Sequence, residues 1–289
     1  MPSVPEGWEG LLEDGSLLVA GSTGSVAALT RHVELSTAPA GGLLGSLAVP
    51  DRMLGELASA WATSPSPGGS VAGEDVSGAA AAASGATAAP LVTLVVTGGA
   101  GGIGPALALA RRLGVPLAQV ATVLRDLDDL VGNARRVVAA VDAAREDGLL
   151  EDQRIQLGLP SATASAGWLR AADEAAAAEL SLGFAPGPGG DGPDLPRLVA
   201  AWIDAALDRE LPFGVDLTAA DSGTGAGPAP GALLAATSAA FDGAGPEVVA
   251  GLLSDPAARP PGAGEAARAR RWLQSCRVPD PQRALAELA

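Results

Sequence analysis

Residues 97–104 read Thr97-Gly98-Gly99-Ala100-Gly101-Gly102-Ile103-Gly104, with an apolar run before them and a helical pattern after. A glycine-rich turn between a strand and a helix leaves consecutive backbone N–H groups free to converge on an anion, and the helix start adds partial positive charge. Thr97, Gly98, Gly99, Gly101 and Gly102 are therefore candidate ligand-binding residues. Arg125 and Asp126 end the next apolar run, the position at which β/α enzymes carry working side chains. Asp216 lies inside the apolar run Phe213–Thr218, and a carboxylate there must be paired or open to solvent. Asp216, Arg125 and Asp126 are the candidate catalytic groups. Gln156 and Thr218, on the polar faces of their strands, are further ligand-binding candidates. Each has a structural alternative. The glycines can serve tight packing, Asp126 can cap a helix beginning at Leu127 with Arg125 as its ion partner, and Asp216 can sit in water on an edge strand.

The proton-handling inventory is thin. The spacing of Thr97, Gly98, Gly102 and Gly104 resembles the phosphate loop of short-chain dehydrogenases, which move the substrate proton with a Tyr and a Lys four residues apart. This chain has no tyrosine and no lysine, and its loop begins far from the start of the chain. NADP therefore survives only as a minor alternative, in which Arg125 would meet a 2′-phosphate. The sole histidine, His32, precedes every strand–helix unit used here and reads as a surface or packing residue. With no second imidazole there is no serine triad. The lone Cys276 excludes an internal disulfide and, with one histidine, a structural zinc site. It reads as buried packing in preference to a thiolate assisted by Arg277. No metal site is assigned, although Asp126 or Asp216 can supply oxygen ligands to Mg2+.

Composition narrows the partners. Acidic residues number 33 against 18 basic ones, a formal charge of −15, which repels nucleic acid and anionic lipid surfaces. The basic cluster Arg268, Arg270 and Arg271 reads as a solvated helix face. Residues Val76–Ala110 carry no charge, but Pro90, Pro105 and the glycines interrupt any continuous apolar helix. Met1–Gly10 shows no basic segment leading into an apolar core. A soluble, cytoplasmic protein is expected, with no membrane and no nucleic-acid partner.

These candidates need a scaffold, and the chain supplies a repeating one. Short apolar runs at Leu43–Val49, Leu91–Val96, Val120–Leu124, Ile155–Leu159, Leu180–Phe184 and Phe213–Thr218 are followed by helical patterns. From Leu91 onwards they start about thirty residues apart, the length of a right-handed crossover in a parallel sheet. The clearest helices carry Leu127, Leu130, Val137, Val138 and Val141, and Leu195 to Ala206 after Asp194 as N-cap. Repeated βα units fit a TIM-barrel-like α/β fold or a doubly wound open parallel sheet. Polar faces in Arg154–Leu159 and Phe213–Thr218 favour the barrel, since an open sheet covered on both sides by helices lacks them. Two strands are then missing: Leu17–Ala20 or Arg31–Leu35 near the start, and Leu273–Val278 near the end. A single domain over 1–289 is expected, with a disordered Ala/Gly/Ser/Pro-rich insertion at about 62–89.

Blocks of the chain resemble a family of uncharacterised bacterial proteins from high-GC organisms with a barrel-like β/α core. They are Leu91–Ala140 with Arg125-Asp126-Leu127-Asp128-Asp129-Leu130 and Gly132-Asn133-Ala134-Arg135-Arg136, then Asp208–Phe213, Gly231–Thr237, Phe241–Ala244 and Ser275-Cys276. The resemblance implies a basic residue, a Thr-Ala-Gly segment and paired histidines after the strand at Phe213–Thr218. It also implies a basic Gly-rich turn after Leu180–Phe184. This chain instead has Gly214-Val215-Asp216-Leu217-Thr218-Ala219-Ala220-Asp221 and Ala185-Pro186-Gly187-Pro188-Gly189-Gly190. The expectation is a divergent member that binds a small anionic metabolite, with catalysis reduced or lost. The rivals are a Mg-dependent lyase, isomerase or aldolase-like enzyme, an NADP oxidoreductase and a self-associating scaffold. Oligomeric state is left open.

Overall fold

In a computed structural model the chain is described except at residues 1–3, 5–6, 20, 22–23, 64–88, 187–194, 219–226, 256–257, 259–260 and 289. Eight strands alternate with helices: β1 Leu12–Asp14, β2 Leu44–Pro50, β3 Val92–Val96, β4 Leu117–Val123, β5 Arg154–Leu159, β6 Ser181–Phe184, β7 Phe213–Asp216 and β8 Leu273–Val278. All pairings are parallel, and β8 returns to β1, closing the barrel. The fold is TIM-barrel-like, and the open-sheet alternative is excluded by the β8–β1 ladder Leu12–Cys276, Glu13–Arg277 and Asp14–Val278. The first missing strand is neither of the expected ones. It is the three-residue β1, because Leu17 and Leu18 enter a 3-10 turn and Arg31–Leu35 lie in helix α1, Ser25–Ser36. A strand of three residues bearing Glu13 and Asp14 carries too little apolar alternation to register in a sequence window.

The other helices are α2 Leu54–Thr63, α3 Ile103–Arg112, α4 Leu130–Glu146, α5 Ala166–Ala177, α6 Leu195–Leu207, α7 Pro230–Phe241, α8 Pro246–Ser254, α9 Ala263–Ala269 and α10 Pro281–Leu288. Residues 64–88 of the low-complexity insertion, the turn after Ala185-Pro186 and the Asp194 cap lie outside the described residues. Among the described residues no helix is long and apolar enough to cross a membrane. Local chemistry sets several helix starts. Ser165 accepts from the Trp168 N–H, and prolines open α7 and α8 at positions where a missing N–H costs nothing.

The apolar core is the annulus between barrel and helices. Along β7, Phe213 and Val215 face outward while Gly214 and Asp216 face the lumen; β5 alternates in the same sense. The scarce aromatic rings are concentrated there: Phe184 stacks between Trp168 of α5 and Trp202 of α6 and touches Phe213, with centroids 5.3–6.1 Å apart. Both indoles have partners, Trp168 donating to the Pro160 carbonyl and Trp202 to that of Ala162. Cys276 lies on the same outward face, fully buried.

One polar pair interrupts this annulus. Asp14 is fully buried, accepts from the Ser16 N–H, and lies 3.3 Å from Nδ1 of His32 on α1. Burial works to raise the Asp14 pKa, but hydrogen bonds from His32 and Ser16 outweigh it and hold the carboxyl below its ordinary value. A depressed carboxyl pKa adds stability that is fully present above the unfolded-state value of about 3.9 and is lost as pH falls through the folded value. Replacing His32 by Leu should cost about 1–3 kcal/mol in urea unfolding at pH 7. The gap to wild type should narrow as pH drops below about 4; a gap independent of pH would refute the pairing.

Candidate functional site

The barrel interior identifies itself by contacts that skip a strand. Thr93 of β3 donates to Glu13 of β1 at 3.3 Å, across β2. A Cβ on Gly214 of β7 would run into the Gln156 amide of β5, across β6. Such contacts are possible only in the lumen. By register, Ser46, Thr93, Gln119, Gln156, Ser275 and Arg277 therefore point inward, a polar filling where aliphatic layers are usual.

Arg277 organises it. Its Nε and Nη2 lie 3.0 and 2.9 Å from Oε2 of Glu13, and Nη1 donates to Asp216 Oδ2 at 2.7 Å. Glu13 and Arg277 are 2% and 5% exposed, so the pair is sealed from water. Burial opposes the Arg277 charge, but Glu13 and Asp216 together more than offset it and hold the guanidinium pKa above the ordinary arginine value. Glu13 passes the network on through Thr93 to Ser46, whose hydroxyls are 2.7 Å apart. Asp216 forms the outer end, its Oδ1 accepting from the N–H and hydroxyl of Thr218 at 3.0 and 2.6 Å. Gly15 is required here, since a Cβ would meet Thr218 and Arg277. Asp216 is thus a paired lumen carboxylate, and the edge-strand alternative is removed by barrel closure. Gln156 lies just beneath, over Gly183 and Gly214 and beside Ser275.

Arg125 and the glycine turn form a separate corner on the β3–β4 rim. Thr97 donates through its N–H and hydroxyl to Asp51, at 3.1 and 2.6 Å, which ties the loop after β3 to the one after β2. Gly99 has φ +66° and ψ −156°, a conformation that excludes a side chain. The stem of Arg125 lies over it. With its amide oxygen turned to the loop, Asn133 accepts from the N–H groups of both Arg125 and Asp126 at 2.7 Å. Asp126 is not the N-cap of a helix starting at Leu127. It accepts from the N–H groups of Asp128 and Asp129 and pairs with Arg136, and Asp129 caps α4, which starts at Leu130. Two further aspartates between β4 and the apolar stripe moved the helix start by three residues.

The structure therefore joins Gln156, Asp216 and Thr218 on the lumen side of β5 and β7 and sets Arg125 with Thr97 and the glycines on the β3–β4 side of the same C-terminal mouth. The oxygens of Asp126 and of Asp216, each expected separately as a possible Mg2+ ligand, are already engaged, Asp126 by its turn and Arg136 and Asp216 by Thr218 and Arg277. Among the described residues no cluster of three or more His, Cys, Asp or Glu side chains is suited to a metal ion. Sequence reasoning missed Glu13, Thr93, Ser46 and Gln119 because β1 was not identified and β2 to β4 lacked a marked polar face. Arg277 was noted only as a neighbour of Cys276. Arg270, expected on a solvated face, instead donates to the carbonyls of Leu273, Gln274 and Glu9, and burial lowers its pKa. A cleft of about 330 Å3 between α7, α8 and α10 is lined by Leu217, Val278 and Arg283. It opens outside the barrel wall and includes none of the lumen network.

No protein-family profile, curated protein or solved structure matches this chain.

Two outcomes follow from the opposed orientation of Cys276 and Arg277. Burial pushes the Cys276 thiol up to about 12, so a thiol reagent at pH 8 should leave the native protein unmodified and label it fully in urea. Rapid native labelling would place the thiol elsewhere. Arg277→Met, which strands two carboxylates, should cost about 3–5 kcal/mol in urea unfolding. Asp216→Asn should cost clearly less, because water reaches that end.

Proposed function

We propose that this chain is a metabolite-binding β/α barrel that takes a small anionic ligand at the C-terminal mouth and has little or no acid–base catalysis of its own. The observation that carries the reading is Arg125. Its backbone is held by Asn133, its stem rests on Gly99, and its guanidinium has no carboxylate partner among the described residues. Neighbouring Arg136, by contrast, pairs with Asp126 and Asp129. An exposed arginine beside a glycine turn can meet a carboxylate or phosphate with two parallel hydrogen bonds. Asp51 keeps its negative charge and takes both Thr97 donors, which removes Thr97 from the candidate ligand-binding groups, so the anion would meet Arg125 and the exposed Gly98 and Gly101 on the side away from Asp51. The occupied carboxylates support the reading of weak acid–base catalysis: Glu13 and Asp216 both serve Arg277, and the single imidazole of the sequence lies 3.3 Å from Asp14 outside the lumen.

The test is ligand-induced stabilisation of the full chain by inorganic phosphate and by small dicarboxylates. A ligand at about 100 times its Kd should stabilise wild type by about 2.7 kcal/mol. Arg125→Ala should abolish that gain while leaving the ligand-free melting temperature nearly unchanged. Equal stabilisation of both proteins, or of neither, would remove the anion from the proposal.

A further inference from the structure

A second feature of the lumen is independent of the anion corner. Gln119 of β4 is 1% exposed, and neither its Nε2 nor its Oε1 has a hydrogen-bonding partner among the described residues. It stands in register with Thr93 on one side and Arg154 on the other, and so points into the barrel. Thr93 spends its hydroxyl proton on Glu13 and Ser46 spends its own on Thr93, so neither hydroxyl can donate to Oε1. A primary amide buried with both ends free costs several kcal/mol in an apolar setting, unless a guest supplies the missing partners. Two nearby lumen positions are small: Ala48 stands beside Thr93, and Ala121 lies one inward step above Gln119 on β4.

We infer that the barrel interior at Gln119 is a binding site for a small uncharged molecule carrying a hydrogen-bond donor and an acceptor side by side, such as a primary amide. A guest with acceptors alone would leave Oε1 unpaired, and one with donors alone would leave Nε2 unpaired. An amide meets both at once in a two-bond pair. Ions fit less well: Glu13, Asp216 and Arg277 together leave the lumen with one net negative charge, which repels an anion, and a cation such as methylammonium only donates and would leave Nε2 unpaired.

The test is nitrogen-15 NMR of the full chain, following the Gln119 side-chain amide during titration with acetamide, sodium acetate or methylammonium chloride. Acetamide should shift these resonances saturably, and the two ions should leave them in place. In wild type, acetamide should also shift the side-chain amide of Gln156, which stands beside Ala121 in register, and in Gln119→Leu it should not. That variant should stay folded, because it exchanges an unpartnered amide for an apolar group of similar size. The wild-type titration decides the matter even if the variant does not fold. An unmoved Gln119 signal, an equal response to either ion, or a long-lived water on the amide that acetamide does not displace would each overturn the inference. Loss of phosphate binding in Arg125→Ala would leave it untouched.

Discussion

A single guanidinium inside the barrel sets the terms for the rest of the structure. Taking Arg277 out of water is costly, and the cost is offset only because Glu13 and Asp216 approach it from the strands on either side. Those three side chains tie β7, β8 and β1 together at the seam where the barrel closes. The seam matters because β1 is only three residues long and can contribute few ladder hydrogen bonds of its own. Glycine at positions 15 and 214 follows from the same requirement, since a Cβ at either would occupy space taken by Arg277, Thr218, Gln156 or Ser275.

With a polar lumen, apolar burial has to come from the annulus outside the barrel. Strands with outward Leu, Val, Ile and Phe meet helices whose inward stripes are largely Ala, Leu and Val, a composition that allows close approach. The stacked Trp168, Phe184, Trp202 and Phe213 fill the β6–β7 sector, where two lumen glycines, Gly183 and Gly214, contribute nothing to the interior on that side. The buried His32–Asp14 pair joins α1 to the short β1, adding a directional contact where the strand offers little surface.

The rim follows a different rule. Most of its polar groups hold loops in place: Asp51 binds Thr97, Asp126 and Asp129 set the turn before α4, and Asn133 fixes the backbone of Arg125. Once those partners are subtracted, what faces outward is a positioned arginine beside a rigid glycine turn, with exposed Val123 and Leu127 next to it. Groups held in this way lose little freedom on meeting a partner, which is the physical basis of the anion-binding proposal.

By itself the sequence determined the class of architecture, because period-2 apolar runs separated by helical stripes at crossover length admit few folds. Polar faces at Gln156 and Asp216 also pointed correctly to a barrel, since alternation is a local property of the strand. It also identified β8 at Leu273–Val278, and it placed the glycine turn and Arg125 at the ends of successive strands, whereas their contact at Gly99 came from the tertiary structure. Only the tertiary structure decided what Asp216 and Arg277 do. Arg277's second carboxylate, Glu13, is 264 residues away in the chain and sits in a strand too short to carry a hydrophobic period. The same limit hid the His32–Asp14 pair and the unpartnered amide of Gln119. A residue's type announces that it needs a partner, whereas barrel closure determines which side chain, if any, is there to meet it.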